Sequence, residues 1–275
     1  MKKDMITSEL WRQFALDKSK TLKKKTFVEY ERIYTKLIGP EFGGTRVSAL
    51  ESGGIERWHR SLAQAAPYQA NRALAVLSAM LTLAVRWRVV PYNPASGVPR
   101  AKERGRETVL NAEQRRRLMD AILLEPVTSA IYIYALLYTG ARPSELLHAR
   151  WEWLHEDVIQ LPDSKTGKRV IFLPQKALRA LQTLPTYQRE GEGPMFPDVE
   201  PSNVWRRVRR RAGLDGVRLY DLRHTFASAG LEGGLSLELI GELLGHKNAN
   251  TTKRYTHLDT KVGRDSVRRV QDALA

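Results

Sequence analysis

The residues with chemical potential cluster between positions 219 and 255 of this 275-residue chain, in the segments LYDLRHTFAS and LLGHKNANTTKRYTHL. Arg223 lies on an Asp-led amphipathic segment, His246 follows a glycine typical of a helix end, and Tyr255 follows two basic residues. A phosphodiester under attack spreads negative charge over its non-bridging oxygens, and guanidinium and imidazole groups can offset that charge. These residues therefore predict a phosphate site, with Tyr255 as the candidate nucleophile.

Two cations earlier in the chain fit the same chemistry. Arg142 precedes Pro143, a residue that starts helices well, so its guanidinium has a rigid support from which to bind two phosphate oxygens. Lys165 lies in the segment PDSKTGK between two predicted strands, where an ammonium group can protonate a departing 5′ oxygen. Taken alone, Arg142 is more typical of an ordinary ion pair and Lys165 of a plain turn.

The composition favours a polyanionic partner. The formal net charge is +15 and the isoelectric point about 10.1, which favours nucleic acid over an uncharged partner, with a merely basic protein as the alternative. Residues 1 to 107 carry 20 Lys and Arg against 10 Asp and Glu, while the remaining residues carry 25 against 20. The front part is therefore the more basic one.

Cysteine is absent, which excludes disulfides, thiolate metal sites and cysteine nucleophiles and suits a cytoplasmic protein. The sequence has no apolar run of the ~20 residues that a membrane span needs, and its polar start is unlike a signal peptide. We expect no membrane partner.

Hydrophobic periodicity predicts a small helical domain over residues 1 to 95. One helix is expected over residues 26 to 37, a second after Gly53 and Gly54, and a long third helix from Pro67 to Arg88. Residues 96 to 107 combine Gly, Pro and charges without an apolar period, which is typical of an extended linker.

The second predicted domain covers residues 108 to 275. Asn111 and Gln114 form a capping box for a helix with Leu118, Ile122 and Leu123 on its apolar side. An almost wholly apolar helix should follow and end at Gly140. Short strands are expected at 151–154, 158–161 and 169–173, and helices from Gln175, from Asn203, over 219–231 and 237–244, and from Val262. The expected fold class is mainly α with a small antiparallel sheet.

The motifs in this order, YTGARPSELL, SKTGKRVIFLP, YDLRHTFAS and LGHKNANTTKRYTHL behind a basic helical domain, closely resemble the tyrosine recombinases, the phage-type integrase family. The last motif of that family places the nucleophilic tyrosine nine residues after the histidine of Leu-Gly-His, as Tyr255 follows His246 here. The resemblance covers essentially the whole chain, by motif in the second domain and by pattern in the first.

The resemblance implies a role for each matching residue. Arg142 and Arg223 would be the catalytic arginines, with Glu145 bracing Arg142. Lys165 would be the catalytic lysine, His246 the second histidine position and Tyr255 the nucleophile. The implied reaction is site-specific cutting and rejoining of double-stranded DNA through a 3′-phosphotyrosyl intermediate, without metal, ATP or another cofactor. The implied source is a phage or another mobile element.

One position departs from the family pattern. Tyr220 stands where the family usually has histidine, three residues before Arg223, a spacing that places both residues on one helix face. A phenol can donate a hydrogen bond near neutrality but is a poor proton acceptor. We expect Tyr220 to bind or orient phosphate with reduced activity, and we interpret His224, which points elsewhere on the helix, as a structural histidine.

Further residues are candidate DNA-backbone contacts. They are the basic side chains ahead of the first predicted helix and on the arginine-rich helix near residue 206, namely Lys23, Lys24, Lys25, Arg206, Arg207 and Arg210. Solvated charges are the alternative in both places. The remaining histidines lack metal-ligand spacing, so no metal site is predicted.

Three alternatives stay open at this point. The C-terminal tail either packs into a neighbouring protomer, as in the homotetrameric DNA synapse of the family, or folds back on its own domain. The free protein is expected to be monomeric and to assemble on DNA.

Either no arm-binding domain precedes the chain or that domain is missing from this sequence. A catalytically weakened DNA-binding relative and a type IB-like topoisomerase are the competing functions.

Overall fold

The computed structural model describes residues 4–103, 108–162, 169–187, 192–245 and 260–274. The chain divides into two compact units, Met1–Gly105 and Arg106–Ala275, and each unit has its own hydrophobic core. Helices dominate both units, and the described strands form a three-stranded antiparallel sheet. The predicted fold class, mainly α with a small antiparallel sheet, is confirmed. None of the described helices is long and apolar enough to cross a membrane.

The first unit is helical throughout its described elements. In chain order these are α1 (Thr7–Ser19), α2 (Lys24–Ile33), a π-helical turn (Tyr34–Ile38), α3 (Gly39–Phe42), a 3₁₀ turn (Val47–Ala49), α4 (Ser52–Ala65) and α5 (Pro67–Arg86). Helix α5 begins at its predicted proline and buries Leu74, Leu77, Leu81 and Ala84 on one face. Helix α1 was not predicted. The prediction that α4 follows Gly53 and Gly54 was wrong, because both glycines lie in the first turn of the helix. The backbone N–H groups of a first turn have no hydrogen-bond partner within the helix.

The predicted helix over residues 26 to 37 contains an irregularity. Helix α2 passes into the π-helical turn at Tyr34, which adds a residue to that turn of the helix. The fully buried positions are consequently Ile33 and Ile38, five residues apart, while Tyr30 and Tyr34 are only partly buried. The local widening therefore shifts which side chains reach the core.

Part of the segment predicted as a linker is held against the first unit. The side-chain amide of Asn71 on α5 donates to the Ala101 carbonyl and to Glu103, and its oxygen accepts the Ala101 backbone N–H. The same oxygen lies 2.9 Å from Nε2 of the buried His59 on α4. Asn71 thus uses all its hydrogen-bonding capacity to fix residues 101 and 103 to two helices.

The second unit surrounds an apolar central helix. Its elements are α6 (Ala112–Ile122), α7 (Val127–Thr139), α8 (Pro143–Leu147), a 3₁₀ turn (Trp151–Trp153), β1 (Leu154–His155), β2 (Val158–Leu161), β3 (Arg169–Phe172), α9 (Gln175–Gln182), α10 (Pro201–Arg211), α11 (Asp221–Glu232), α12 (Leu237–Leu244) and α13 (Thr260–Leu274). Helix α7 contacts α6, α8, α9, α11 and α13. This contact set explains why almost every residue of α7 is apolar.

Local sequence signals position the first helices of this unit. Asn111 and Gln114 form the predicted capping box, each accepting the backbone N–H of the other. Leu118 and Ile122 are buried as predicted, but Leu123 is 77% exposed, so its predicted place in the core was wrong. The helix ends at Ile122, and a side chain beyond the last turn no longer follows the apolar stripe.

The sheet pairs β1 with β2 and β2 with β3, with Val158 opposite Phe172 and Leu161 opposite Arg169. The first strand predicted at 151–154 is mostly a 3₁₀ turn, because the Trp153 N–H bonds the Arg150 carbonyl instead of a neighbouring strand. Only Leu154 and His155 pair in that strand. Residues 163–168, which include the predicted turn, lie outside the described residues.

Helix α13 packs within its own unit, against α11, α7 and β3. Val267, Val270 and Leu274 are buried, and Arg264 bonds Asp157 and Glu156 in the turn between β1 and β2. In this structure the tail therefore follows the alternative in which it folds back on its own domain.

Candidate active site

Arg142 and Glu145 form a local pair at the start of α8. Helix α7 ends at Gly140, whose φ of 60° is left-handed; a Cβ there would lie 2.6 Å from Cδ1 of Phe226. Glycine thus permits the turn that delivers Arg142 to the first position before α8. The Glu145 carboxylate accepts the Arg142 backbone N–H at 2.9 Å and its Nη1 at 2.6 Å. This contact is the one expected of a bracing carboxylate.

Arg223 lies on α11 and is buried. Its Nη1 donates to the Gly140 carbonyl at 2.8 Å, and its Nη2 donates to the Leu244 carbonyl at the end of α12. Burial lowers the pKa of Arg223, and the nearby Tyr220 phenol acts in the opposite direction. The contacts of Arg223 connect α11 with the ends of α7 and α12, so the same turn at Gly140 orients both Arg142 and Arg223.

Sequence reasoning missed a third arginine, Arg169, at the start of β3. Its Nη1 lies 2.9 Å from Oε2 and 3.2 Å from Oε1 of Glu145, and its Nη2 donates to the Leu243 carbonyl at 3.3 Å. Burial lowers the pKa of Arg169 to about 10, against the opposing effect of Glu145. The alternation of side chains along a strand could have identified Arg169 from the sequence. Arg169 and the buried Ile171 are two residues apart, so they lie on the same face of the strand.

The three arginines converge on the end of α12. Arg169 bonds the Leu243 carbonyl, Arg223 the Leu244 carbonyl, and Arg142 Nη2 the Gly245 carbonyl at 3.3 Å. The last carbonyls of a helix lack intrahelical partners and carry partial negative charge, so guanidinium groups are well suited to them. We call this set of three side chains the arginine cap. It fixes the chain at Gly245, the residue before His246.

Gly245 itself is required by this arrangement. Its φ of 64° is left-handed, and a Cβ at this position would lie 2.9 Å from Cδ and 3.0 Å from Nη1 of Arg169. The glycine therefore serves both as the end of α12 and as the space that the Arg169 side chain fills.

Tyr220 lies just ahead of α11, as its N-terminal flanking residue, rather than inside the helix. Its side chain is 44% exposed, and its ring packs edge-on against that of His224 at a centroid distance of 5.8 Å. Its backbone angles are helical, and its carbonyl accepts the Arg223 backbone N–H, so Tyr220 lies one turn ahead of Arg223. Tyr220 still influences Arg223 electrostatically.

Lys165, His246 and Tyr255 lie outside the described residues. Among the predicted site residues, the structure thus brings together Arg142, Glu145 and Arg223, with Tyr220 beside them.

The candidate DNA contacts differ in their exposure and in whether their charged groups already bind another side chain. Lys23, Lys24 and Lys25 are exposed at the start of α2, and Arg210 is exposed on α10. Arg206, also exposed, donates to Asn203 on its own helix.

Arg207 and Arg211 instead face Glu125. Arg207 bonds both oxygens of that buried carboxylate, and Arg211 bonds one. These bonds hold the pKa of Glu125 below its ordinary value, with the hydrogen bond from Arg207 as the largest cause. Arg207 therefore has an intramolecular role in addition to its predicted contact with DNA.

The described site is a cluster of cations in which Arg142 is the most exposed guanidinium group. Three guanidinium groups lie near the carboxylate of Glu145, which leaves an excess of positive charge beside the exposed Tyr220 phenol. Such a site can bind a phosphate group and offset charge that develops on it. The described residues contain no group of three or more His, Asp or Glu side chains that could hold a metal ion.

The chain belongs to the phage integrase family, whose family model matches residues 108–261, more than half of its length. A shufflon-specific DNA recombinase of Escherichia coli is 32% identical over 193 residues, covering 67% of this chain and 50% of that protein. Tyrosine recombinase XerA of Pyrococcus furiosus is 29% identical, covering 58% of this chain and 60% of that protein. The chain therefore spans about half to three fifths of these curated relatives.

Solved structures show the same fold. A lambda integrase dimer bound to a COC′ core site matches with a TM-score of 0.74 at 19% identity, over 94% of this chain and 80% of that chain. A lambda integrase tetramer bound to a Holliday junction matches with a TM-score of 0.73, also at 19% identity, over 89% of this chain and 78% of that chain. At such identity the likeness concerns the fold alone.

Proposed function

We propose that this protein is a site-specific DNA recombinase that cuts and rejoins double-stranded DNA through a 3′-phosphotyrosyl intermediate. The observation that carries the proposal is the arginine cap, in which Arg142 and Arg223 both bond the end of α12, directly before His246. Family membership and the names of the relatives, a shufflon-specific DNA recombinase and tyrosine recombinases, support the same activity.

The proposed cleavage is a transfer of the scissile phosphoryl group. The phenolic oxygen of Tyr255 attacks phosphorus and loses its proton to water, a bond from phosphorus to Tyr255 forms, and the bond to the 5′ oxygen breaks. The Lys165 ammonium donates a proton to that leaving oxygen, which yields a free 5′ hydroxyl. A 5′ hydroxyl of the partner duplex reverses these steps to rejoin the strands. The phosphotyrosyl bond conserves the energy of the original phosphodiester.

Arg142, Arg223 and His246 would offset the negative charge on the non-bridging oxygens during both transfers. Guanidinium groups suit this role because they stay protonated at working pH and bind two oxygens at once. Glu145 would orient Arg142, and Tyr220 would donate a hydrogen bond to phosphate. Tyr220 is exposed enough to reach a bound backbone from its position ahead of α11.

The proposal divides the work between the two parts of the chain. Residues 1–95 would form the helical DNA-binding domain, residues 96–107 the connection, and residues 108–275 the catalytic domain. The DNA backbone would be contacted by Lys23, Lys24, Lys25, Arg206, Arg207 and Arg210, which strengthen binding without reading sequence. A homotetramer on paired DNA sites is the proposed working assembly, by analogy with the lambda integrase tetramer bound to a Holliday junction.

Trapping of a covalent complex tests the proposal. DNA fragments from the organism that carries the gene would be randomly nicked and incubated with the purified full chain. A nick close to a cleavage site releases a short 5′-hydroxyl fragment and prevents rejoining, so protein stays covalently attached. We expect attachment at one recurrent sequence, which sequencing of the trapped ends identifies.

Two other results would overturn the proposal. DNA binding without a covalent complex indicates a relative that has lost catalysis, with the Tyr220 substitution as its mark. Attachment at many unrelated sequences, together with relaxation of supercoiled plasmid, indicates a topoisomerase.

A further inference from the structure

Glu145 poses an electrostatic problem for the proposed chemistry. It accepts two hydrogen bonds from Arg142. A guanidinium paired one-to-one with a carboxylate is formally neutral and has little charge left for a phosphate. A site that used Arg142 and Glu145 alone would thus orient its arginine at the cost of that arginine's charge.

Arg169 resolves this problem. It contacts both oxygens of Glu145 at 2.9 and 3.2 Å, so the carboxylate is shared between two guanidinium groups. The Arg169 side chain is only 3% exposed, whereas that of Arg142 is 18% exposed. Arg169 therefore neutralises Glu145 from within the fold, and Arg142 is the partner that a ligand can reach.

Arg169 has a second contact that bears on the same site. Its Nη2 bonds the Leu243 carbonyl, and its side chain occupies the space next to Gly245. It thereby joins β3, α8 and the end of α12 through a single side chain. Its Nε is buried and has no hydrogen-bond partner among the described residues. Burial of an unpaired donor costs free energy, and an apolar side chain at this position of β3 would avoid that cost.

We propose that Arg169 is a positioning residue for strand cleavage: it neutralises Glu145, so that Arg142 keeps its charge for the scissile phosphate, and it holds the end of α12 in place. This inference rests on the proposed function. It assigns Arg169 no contact with DNA, which separates it from the catalytic residues.

The first comparison uses the nicked duplex identified by trapping and three forms of the full chain. Arg169→Gln removes the charge. Arg116→Gln is the control, since Arg116 also contacts both oxygens of a carboxylate, that of Glu113, but on an exposed helix face. At saturating DNA we expect Arg169→Gln to slow covalent attachment by about 100-fold, the effect of a misplaced catalytic group, with the Kd for the duplex unchanged. The control should behave as the unmodified chain.

A double variant separates electrostatic positioning from simple structural support. Glu145→Gln combined with Arg169→Gln removes the carboxylate together with the charge that balances it. We expect this double variant to form the covalent complex faster than Arg169→Gln alone, because Arg142 is no longer neutralised. A purely structural role predicts the opposite order, since the double variant lacks more of the original contacts.

The same series of variants includes checks that each protein is folded. Arg169→Lys keeps a positive charge near Glu145 but cannot bond Glu145 and the Leu243 carbonyl together, so it should fold and show an intermediate rate. Thermal unfolding of each variant without DNA verifies that it is folded at the assay temperature.

The outcomes distinguish the two proposals. If the unmodified chain attaches to DNA and Arg169→Gln attaches as fast, or if the double variant is the slower one, the role of Arg169 is overturned while the proposed function stands. If the unmodified chain attaches to no DNA, the proposed function fails, and the role of Arg169 fails with it.

Discussion

Arg223 on α11 donates a hydrogen bond to the carbonyl of Leu244, two positions before His246. The bond links the helix that carries one proposed catalytic arginine to the end of the helix that leads into the proposed histidine. Arg142 and Arg169 make equivalent bonds to the two neighbouring carbonyls. The described half of the site is therefore held together by hydrogen bonds from arginine to main-chain carbonyls, which also orient the guanidinium groups.

The first prediction concerns Gly245. Gly245→Ala forces a left-handed conformation on alanine and places a methyl group 2.9 Å from Cδ of Arg169. Gly234→Ala is a matched control, because Gly234 has a φ of 77° but a methyl group there would meet no described atom beyond its chain neighbours within 4 Å. We expect a loss of unfolding free energy of about 1 kcal/mol for the control and roughly 3 kcal/mol for Gly245→Ala. Urea denaturation measures both, and equal losses would contradict the packing of Arg169 against Gly245.

The second prediction concerns Tyr220. Tyr220→Phe removes only the hydroxyl group, so we expect covalent attachment to slow by about fivefold, the value of one hydrogen bond of about 1 kcal/mol. Tyr220→Ala should slow strand exchange further. Tyr187→Phe, which alters another exposed tyrosine of the same unit, is the control. Full strand exchange by Tyr220→Ala would show that the residue has no role at the phosphate.

The third prediction concerns Glu125 and pH. Because its pKa is lowered in the folded protein, Glu125 contributes stability that is present above its ordinary pKa of 4.5 and is lost as the pH falls through the lower folded value. We expect Glu125→Gln to reduce the unfolding free energy by about 2 kcal/mol at pH 7, where Arg207 and Arg211 lose their anionic partner. The difference should shrink towards pH 3 in thermal unfolding. A difference that is constant over this range would show that the charge of Glu125 is unimportant.

The fourth prediction separates the arginines of α10. Arg206→Gln and Arg210→Gln should each reduce the slope of log K for DNA against log salt by about one, as loss of one phosphate contact does. Arg211→Gln should leave the slope unchanged and lower stability, because Arg211 bonds Glu125. Fluorescence anisotropy over a salt series measures the slopes. Slopes that do not change for Arg206 and Arg210 would remove α10 from the proposed DNA interface.

Local sequence signals and the family resemblance predicted the parts of the site that depend on neighbours in the chain. Gly140 was predicted as a helix end from the sequence, and the resemblance implied that Glu145 braces Arg142. The pairing of Glu145 with Arg169 spans 24 residues and joins a residue of α8 to a residue of β3. Such a contact depends on tertiary packing, and a buried arginine in a strand resembles an exposed one until its partner is known.

The same limit explains the smaller differences. The π-helical turn at Tyr34 shifts the buried face of α2, because the extra residue in that turn breaks the regular helical spacing. Helix α11 starts at Asp221, two residues after the predicted start at Leu219. In both places the apolar pattern predicted the element and the tertiary context determined its exact geometry.

The most direct test of the central claim is covalent attachment by Tyr255→Phe to the trapped nicked duplex, with Tyr220→Phe as the parallel control. A phenylalanine has no oxygen to attack phosphorus, so we predict normal DNA binding and complete loss of the covalent complex for Tyr255→Phe. The control should retain the complex at a reduced rate. A covalent complex that persists in Tyr255→Phe would contradict the account, because another side chain would then be the nucleophile.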